Sequence, residues 1–280
     1  MNMSTKYLVL GATGKTGRRI VDRLNRRGLS VRSGSRSATP PFSWSDDSQW
    51  EACLDGVRSV YISYAPDMAM PGAGDAIRSF LEVAKRAGVD HAVILSGRGE
   101  AEAQACERIV QESGLRWTVV RASWFNQNFD EGGFADLVNA GHVTLSAGDV
   151  PEPFVDVDDI ADVAVEALVD PDRHAGQVYE VTGPRLMTFR DAVAEIAEAS
   201  GRPVQYTQVS HRDFLAGLSA SGAPKDVAWM MDYLFATVLD GRNAYLADGV
   251  QRALGREPRD FRDYARAVVA RGGWKSKASA

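Results

Sequence analysis

The stretch Tyr7-Leu8-Val9-Leu10-Gly11-Ala12-Thr13-Gly14-Lys15-Thr16-Gly17 decides how this chain of 280 residues folds. Its first four residues are apolar and end at a glycine, which is typical of a parallel strand buried on both faces. The apolar residues Ile20, Val21 and Leu24 follow at helical spacing and predict an amphipathic helix. A second strand over Leu29-Ser30-Val31-Arg32-Ser33 completes a βαβ unit within about 30 residues.

Strands and helices continue to alternate along the first two thirds of the chain. Further strands are predicted at Ser59–Ser63, Ala92–Leu95, Trp117–Val120 and Gln177–Val181, with helices at Ala76–Ala87, Ala101–Glu112 and Asp158–Leu168. Repeated βα units favour a parallel sheet with right-handed crossovers. The predicted fold class is therefore α/β, a doubly wound parallel Rossmann sheet with a smaller, mostly helical C-terminal substrate lobe.

The alternation breaks down after Arg121, which indicates a second lobe. Residues 124–153 are rich in Asn, Gly and aromatic side chains, as expected of an excursion from the sheet. From Thr188 onward the chain is predicted to be mostly helical, and the apolar pattern ends at Trp274. We expect a nucleotide-binding core at 1–122, completed by 154–182; a substrate lobe at 123–153 and 183–272; and a flexible tail at 273–280.

The composition is that of a globular protein with 45% apolar and 25% charged residues. A formal charge of −5 argues against direct nucleic-acid binding, which needs a basic face. Two cysteines, Cys53 and Cys106, are too few for a disulfide framework and suit a reducing compartment. No apolar run reaches membrane-spanning length, and residues 1–6 lack a secretory core. A cytoplasmic protein with no membrane contact is expected.

The glycines of the opening stretch have the pattern of a dinucleotide-binding turn. Gly11 permits a tight turn, Gly14 lets the backbone approach a pyrophosphate, and Gly17 lets the helix pack on the strand. The predicted cofactor contacts in this turn are Gly11, Thr13, Gly14, Lys15, Thr16 and Gly17. The alternatives are a glycine loop without a ligand and a nucleoside-triphosphatase loop. The triphosphatase motif needs a glycine five positions before Gly14, where Val9 stands.

The end of the second predicted strand indicates which dinucleotide binds. NAD-binding proteins usually place an acidic residue there, on the ribose hydroxyls. This chain has Ser33-Gly34-Ser35-Arg36-Ser37 instead. A guanidinium suits the 2′-phosphate of NADP, so Arg36 is predicted to bind it, the alternative being an ordinary surface arginine.

Several segments together resemble the NmrA-like branch of the atypical short-chain dehydrogenases/reductases. They are the turn at 11–17, Arg36, Ala92–Gly97, Glu107, Ser113–Arg121, Trp124-Phe125-Asn126-Gln127-Asn128 and Pro153–Asp159. The resemblance covers Lys6 to about Gly272. It implies that Tyr64, Ala65 and Pro66 border the cofactor, and that Ser96-Gly97 and Ala122–Asn128 border the nicotinamide and substrate.

The chain departs from that superfamily where the catalytic acid is expected. Reductases of the wider superfamily use a tyrosine with a lysine four residues later, and no Tyr-x-x-x-Lys occurs here. Some NmrA-like reductases keep only a lysine, at the position of Ala103. Ser96 is the first candidate for orienting an acceptor and Asn128 the second.

The leading functional hypothesis is an NADP(H)-dependent oxidoreductase that transfers hydride to a small quinone-like or conjugated carbonyl substrate. The alternative from a different class is a non-catalytic NADP(H)-binding sensor of the NmrA type that reports to a protein partner. A sugar-nucleotide epimerase is disfavoured, because that chemistry normally uses the absent Tyr-Lys pair. A homodimer is the expected assembly.

Other polar clusters are better explained by structure than by chemistry. Asp158 or Asp159 is predicted to cap the helix that starts there rather than to bind a metal. The four histidines are not at metal-ligand spacing, and no metal site is assigned. Cys106 is expected to be a packing cysteine, with a redox role as the alternative. The apolar run around Trp229 and Phe235 is expected to pack the second lobe.

Overall fold

A sheet of six parallel strands forms the centre of the first of two compact units. The computed structural model describes residues 7–274. The first unit runs through Ala122 and adds Val157–Val181 and Asp248–Arg256. The strands are β1 (Tyr7–Leu10), β2 (Val31–Gly34), β3 (Ser59–Ile62), β4 (His91–Gly97), β5 (Arg116–Ala122) and β7 (Gln177–Val181).

The strand order is β2-β1-β3-β4-β5-β7. The direction in which successive strands are added to the sheet therefore reverses between β1 and β3. Leu8, Val9 and Leu10 are fully buried, as are Val60, Tyr61 and Ile62. Such continuous apolar strands belong in a parallel sheet covered on both faces. The reversal leaves a crevice at the carboxyl ends of β1 and β3, where doubly wound proteins bind their ligands. The predicted fold class is confirmed.

Helices cover the sheet of this unit. They are α1 (Lys15–Arg26), α2 (Trp50–Leu54), α3 (Ala73–Arg86), α4 (Ala101–Gln111), α6 (Val157–Val169), α7 (Pro171–His174) and α11 (Gly249–Leu254). Helix α1 buries Ile20 and Leu24 and packs beside α6. Arg23 of α1 reaches α6 through ion pairs with Asp158 at 2.7 Å and Asp162 at 2.6 Å.

The second unit comprises Ser123–Asp156, Thr182–Ala247 and the chain from Glu257 onward. Its helices are α5 (Ala135–Ala140), α8 (Phe189–Ser200), α9 (His211–Ala220), α10 (Lys225–Tyr233) and α12 (Phe261–Ala270), with a 3-10 turn at Asn126–Phe129 and a π-helical turn at Leu234–Val238. A cluster of aromatic rings fills its core. Phe189, the first residue of α8, lies at the centre of this cluster, with ring centroids 4.9 Å from Phe154 and 5.1 Å from Trp124.

The structure adds two strands that the sequence did not predict. Strands β6 (His142–Leu145) and β8 (Gln205–Gln208) pair in parallel within the second unit. Their sequences are short and largely polar, so they carry little strand signal. Only Val143 and Leu145 are fully buried. In the described chain after Thr188, which is mostly helical as predicted, β8 is an addition.

Three other expectations need correction. Residues 248–256 were assigned to the substrate lobe, but α11 packs on β7 of the first unit, where a Cβ on Gly249 would lie 2.2 Å from the Glu180 carbonyl oxygen. Helix α6 begins at Val157, so Asp158 and Asp159 lie inside its first turn instead of capping it. Trp274 is buried and donates to the Phe129 carbonyl at 2.9 Å. The rest of the expected tail, residues 275–280, lies outside the described residues.

Within residues 7–274, no helix is long and apolar enough to cross a membrane. In the same range, no group of three or more His, Cys, Asp or Glu side chains is arranged to hold a metal ion.

We predict that Phe189→Ala lowers the free energy of unfolding by about 3–5 kcal/mol, because the surrounding rings cannot collapse into the cavity. Phe189→Leu keeps more of the buried volume and should lose less. Urea unfolding followed by circular dichroism measures both. A loss below about 1 kcal/mol in the alanine variant would show that the aromatic cluster is not the core of this unit.

Candidate functional site

The glycine turn at the end of β1 is packed too tightly for side chains. Gly11 has a φ of +65°, a conformation that favours glycine. A Cβ on Gly17 would lie 2.1 Å from the Gly11 carbonyl oxygen, so only glycine lets α1 approach the strand this closely. The amide of Gly14 donates to the same carbonyl at 2.8 Å. The roles predicted for Gly11 and Gly17 agree with this geometry.

Helix α1 begins directly on this turn and presents its N-terminus there. Gly14 is the N-cap, with no side-chain cap and no acidic residue in the first turn. The backbone N–H groups of a first turn have no partner within the helix, and the helix dipole adds positive charge. Thr13 and Gly14 are exposed and Lys15 is half-buried. This geometry suits an anionic group such as a pyrophosphate.

Thr16 connects the glycine turn to β3. Its side chain is buried, and its hydroxyl accepts a hydrogen bond from the Tyr61 hydroxyl at 2.9 Å. Burial raises the pKa of Tyr61 above its ordinary range, so the phenol stays a neutral donor. The hydroxyl of Thr16 thus contacts β3, and the backbone N–H of this residue lies in the first turn of α1, where it suits the predicted cofactor contact.

At the end of β2, two arginines have different surroundings. Arg32 donates to the backbone carbonyls of Cys53 at 2.6 Å and Asp55 at 2.9 Å, and so it anchors the chain after α2. Arg36 is exposed, and among the described residues it makes no hydrogen bond or ion pair. A guanidinium in this position is available to a phosphate on the neighbouring ribose.

The loop after β3 lies next to the glycine turn. A Cβ on Gly11 would lie 3.3 Å from the Ser63 Cβ, so the two loops are in contact. The ring of Tyr64 packs against Trp44, with centroids 5.0 Å apart, while Ala65 and Pro66 are exposed. Tyr64, Ala65 and Pro66 therefore lie at the carboxyl edge of the sheet, beside the crevice between β1 and β3.

A buried network joins the ends of β4 and β5. The Ser96 hydroxyl donates to Glu107 of α4 at 2.6 Å, and Arg121 of β5 holds the same carboxylate with two hydrogen bonds of 2.9 and 2.5 Å. Arg98 pairs with Glu180 of β7 at 2.5 Å, and Arg121 lies 3.7 Å from that carboxylate. Charges this deeply buried persist only when they are paired.

This network changes the interpretation of Ser96. Its side chain is buried, and its single hydroxyl proton is donated to Glu107. A serine in that arrangement has no second proton to offer an acceptor. The expectation that Ser96 orients the substrate is not favoured by this geometry, and Ser96 instead fixes Glu107. The sequence contained the residues of this network, but their pairing depends on strand register.

Asn128, the second catalytic candidate, belongs to the second unit. It lies in the 3-10 turn, where its carbonyl accepts from the Phe134 amide at 3.1 Å, and its side-chain amide has no hydrogen-bond partner among the described residues. Asn126, two positions earlier, is fully buried, and neither polar atom of its side chain has such a partner. A buried amide of this kind needs water or a ligand, which singles out Asn126 within the segment 122–128, where the sequence analysis had selected only Asn128.

The parts of the first unit thus fit a dinucleotide. A glycine cradle that a Cβ would fill, an uncapped helix N-terminus and an unpaired arginine after β2 stand at the carboxyl edge of a doubly wound sheet. Together they define the class of the molecule, a Rossmann-type dinucleotide-binding protein.

Comparisons with known proteins agree. Residues 11–171 match the family described as NAD(P)H-binding. The uncharacterized oxidoreductase YesF of Bacillus subtilis is 32% identical, covering 96% of this chain and 97% of that protein. The NAD(P)H azoreductase of Xenophilus azovorans is 29% identical, covering 94% and 98%. The chain belongs to the NAD(P)H-binding family, as its glycine turn predicted.

A solved structure matches the fold over almost the whole chain. The NADPH-dependent quinone oxidoreductase QOR2 of Escherichia coli, complexed with NADPH, superimposes with a TM-score of 0.78 at 20% identity. The match covers 94% of this chain and 99% of that one.

We predict that NADPH binds this protein about tenfold to a hundredfold more tightly than NADH. The reason is that a charge-assisted hydrogen bond from Arg36 to the 2′-phosphate contributes roughly 1.5–3 kcal/mol. Titration calorimetry with both nucleotides measures the ratio, which Arg36→Ala should abolish. Arg58→Ala, at the amino end of β3, is the matched control and should leave the ratio unchanged. Equal affinities in the parent protein would contradict the assignment of Arg36.

We predict that Gly14→Val abolishes dinucleotide binding in a folded protein. Gly14 is exposed and has an ordinary backbone conformation, so the new side chain mainly fills the space that the phosphates need. Gly17→Ala should behave differently and destabilise the fold, because its Cβ meets the Gly11 carbonyl. Thermal unfolding and NADPH titration separate the two effects. Tight NADPH binding by a folded Gly14→Val protein would place the site elsewhere.

Proposed function

We propose that this protein is an NADPH-dependent oxidoreductase that reduces a small, electron-poor acceptor, either quinone-like or a conjugated carbonyl compound. The observation that carries the proposal is the glycine turn at the N-terminus of α1, beside the crevice between β1 and β3. Bound NADPH supplies the hydride, and the protein positions the nicotinamide and excludes competing reactions.

The first unit provides the proposed cofactor contacts. Backbone groups of the turn at 11–17 and the N-terminus of α1 bind the pyrophosphate, and Arg36 binds the 2′-phosphate. Tyr64, Ala65 and Pro66 border the cofactor from the loop after β3, while Ser96 and Gly97 border it from the end of β4. Lys15, at the first position of α1, adds a positive charge near the phosphates.

The proposed substrate class is argued from the missing Tyr-Lys acid–base pair. No Tyr-x-x-x-Lys pair is present in the sequence, and Ala103 replaces the lysine of some relatives. Simple ketones need a proton delivered to oxygen as hydride arrives, which typically contributes about 10²–10⁴-fold. Conjugated acceptors spread the incoming charge over several atoms, so the proton can follow the hydride and need not arrive with it.

The azoreductase relative supports this substrate class. An azo group, like a quinone or an enone, is a conjugated acceptor whose product charge lies on a heteroatom. The azoreductase is 29% identical to this chain over nearly the full length of both proteins. A small-molecule substrate, a cytoplasmic location and a homodimeric assembly belong to the same proposal.

We predict that the purified protein oxidises NADPH with quinones and conjugated carbonyls at least about 10²-fold faster than with simple ketones, for the reason given above. Absorbance of the reduced nicotinamide, followed across a panel of acceptors matched in size, measures the rates. Gly14→Val is the control for reactions that do not use the bound cofactor.

Two outcomes would overturn the proposal in different ways. Efficient turnover of plain ketones or secondary alcohols would mean that a strong acid–base pair exists elsewhere in the protein. Firm NADPH binding without turnover of any acceptor would favour the non-catalytic sensor of the NmrA type.

A further inference from the structure

Two carboxyl groups meet at the carboxyl edge of the sheet, outside the network around Glu107. Asp67 follows the loop of Tyr64, Ala65 and Pro66 after β3, and Glu100 follows the end of β4 and precedes α4. Strands β3 and β4 are parallel neighbours in the sheet, so both loops emerge on the side where doubly wound proteins bind their ligands. Residues 33 positions apart in the sequence are thereby brought into contact.

The contact between these two side chains requires a proton. The carboxyl groups of Asp67 and Glu100 lie within hydrogen-bonding reach of each other. Ionised carboxylates only accept hydrogen bonds, so one of the two must be protonated. Asp67 accepts the Ala69 amide at 2.8 Å, which favours its charged form. Glu100 is only 7% exposed, and its Oε2 is buried without a hydrogen-bond partner among the described residues. The proton therefore belongs on Glu100.

The surroundings of Glu100 keep that proton in place at neutral pH. Burial, the negative charge and hydrogen bond of Asp67, and the charge of Glu102 raise the pKa of Glu100 to about 9. Cys106 of α4 lies near Asp67, and burial together with the charges of Asp67 and Glu107 raises its pKa to about 11. Burial raises the pKa of Tyr64, which lies near Cys106. Thiol and phenol are thus neutral while Glu100 titrates.

Glu100 lies directly against the strand end that borders the proposed nicotinamide position. A Cβ on Gly97 would lie 1.9 Å from Glu100 Oε1, so the carboxyl group occupies the space over the last residue of β4. Glycine at 97 is what allows the acid to lie there. Asp67 directly follows Ala65 and Pro66 in the loop that forms the other wall of the proposed cofactor site.

We propose that Glu100, held by Asp67, donates the proton that neutralises the substrate anion after hydride transfer. This inference rests on the proposed function. Hydride addition to the β-carbon of a conjugated carbonyl forms a C–H bond and leaves an enolate. The O–H bond of Glu100 then breaks, its proton moves to the enolate oxygen, and Glu100 becomes a carboxylate. Water returns a proton to the pair through Asp67, the more exposed member.

Glu100→Gln is the central test, because the amide keeps the shape and a hydrogen-bond donor but has no acidic proton. Reduction of a conjugated carbonyl should slow by about 10²-fold or more. Reduction of a quinone should slow much less, because its product anion is a stable phenolate that needs no immediate proton. Affinity for NADPH should not change. Glu112→Gln, exposed at the C-terminal end of the same helix, is the matched control and should keep both rates.

The pH profile separates proton donation from a packing role. With conjugated carbonyls, the rate of the parent protein should fall above about pH 9, where Glu100 loses its proton. Glu100→Gln should remove that decline. Asp67→Asn removes a negative charge beside Glu100, so the decline should move to lower pH. Carbon-13 NMR of labelled glutamate in the protein without nucleotide should show one carboxyl that titrates far above the others and is missing in Glu100→Gln.

The outcomes distinguish this inference from the proposed function. Equal rates and equal pH profiles in Glu100→Gln and the parent protein, with NADPH oxidation intact, would overturn the proton donor alone. A labelled Glu100 that is ionised at neutral pH would do the same without any turnover measurement. If the parent protein oxidises NADPH with neither acceptor, the proposed function falls, and the donor role falls with it.

Discussion

The close approach of α1 to the end of β1 is the contact on which the candidate site depends. The Gly17 backbone meets the Gly11 carbonyl at a distance that leaves no room for a side chain. This contact fixes the helix N-terminus beside the crevice between β1 and β3, and ion pairs from Arg23 to α6 hold the rest of the helix in place. The direction of the helix dipole and the position of the phosphate cradle both follow from it.

The second constraint is the cost of burying charge at the ends of β4 and β5. Glu107, Arg98 and Arg121 are largely removed from water, and each lies in an ion pair of good geometry. Losing one partner from such a network is costly, which makes it a rigid support under the site. Because Ser96 is part of this support, proton transfer falls to a different group, and the Asp67–Glu100 pair is the neighbouring group that holds a proton.

The sequence predicted most of the fold because its signals are local. Apolar strands ending at glycines, the helix between Gly14 and Gly28, and the alternation of elements all lie within short windows. The cofactor turn and Arg36 were predicted for the same reason. The β6–β8 pair escaped prediction because its polar residues carry no strand pattern, and Trp274 escaped because its partner Phe129 lies far away in the sequence.

The chemistry of the site was predicted less well, since it depends on contacts between distant residues. Ser96 lies near the end of a strand, as a catalytic serine would. Only the packing of α4 against β4 shows that its hydroxyl donates a hydrogen bond to Glu107. The Asp67–Glu100 contact likewise depends on two loops from neighbouring strands. Neither residue lies in a motif, so no sequence pattern pointed to an acid at this position.

The central claim, direct hydride transfer from a nicotinamide fixed in this site, is tested most directly by isotope transfer. NADPH carrying deuterium on one or the other face of nicotinamide C4 is incubated with the protein and a conjugated carbonyl, and the product is examined by NMR and mass spectrometry. A nicotinamide held in one orientation predicts deuterium at the β-carbon of the product from one face of the cofactor and none from the other. Equal transfer from both faces, or loss of the label to water, would contradict the claim.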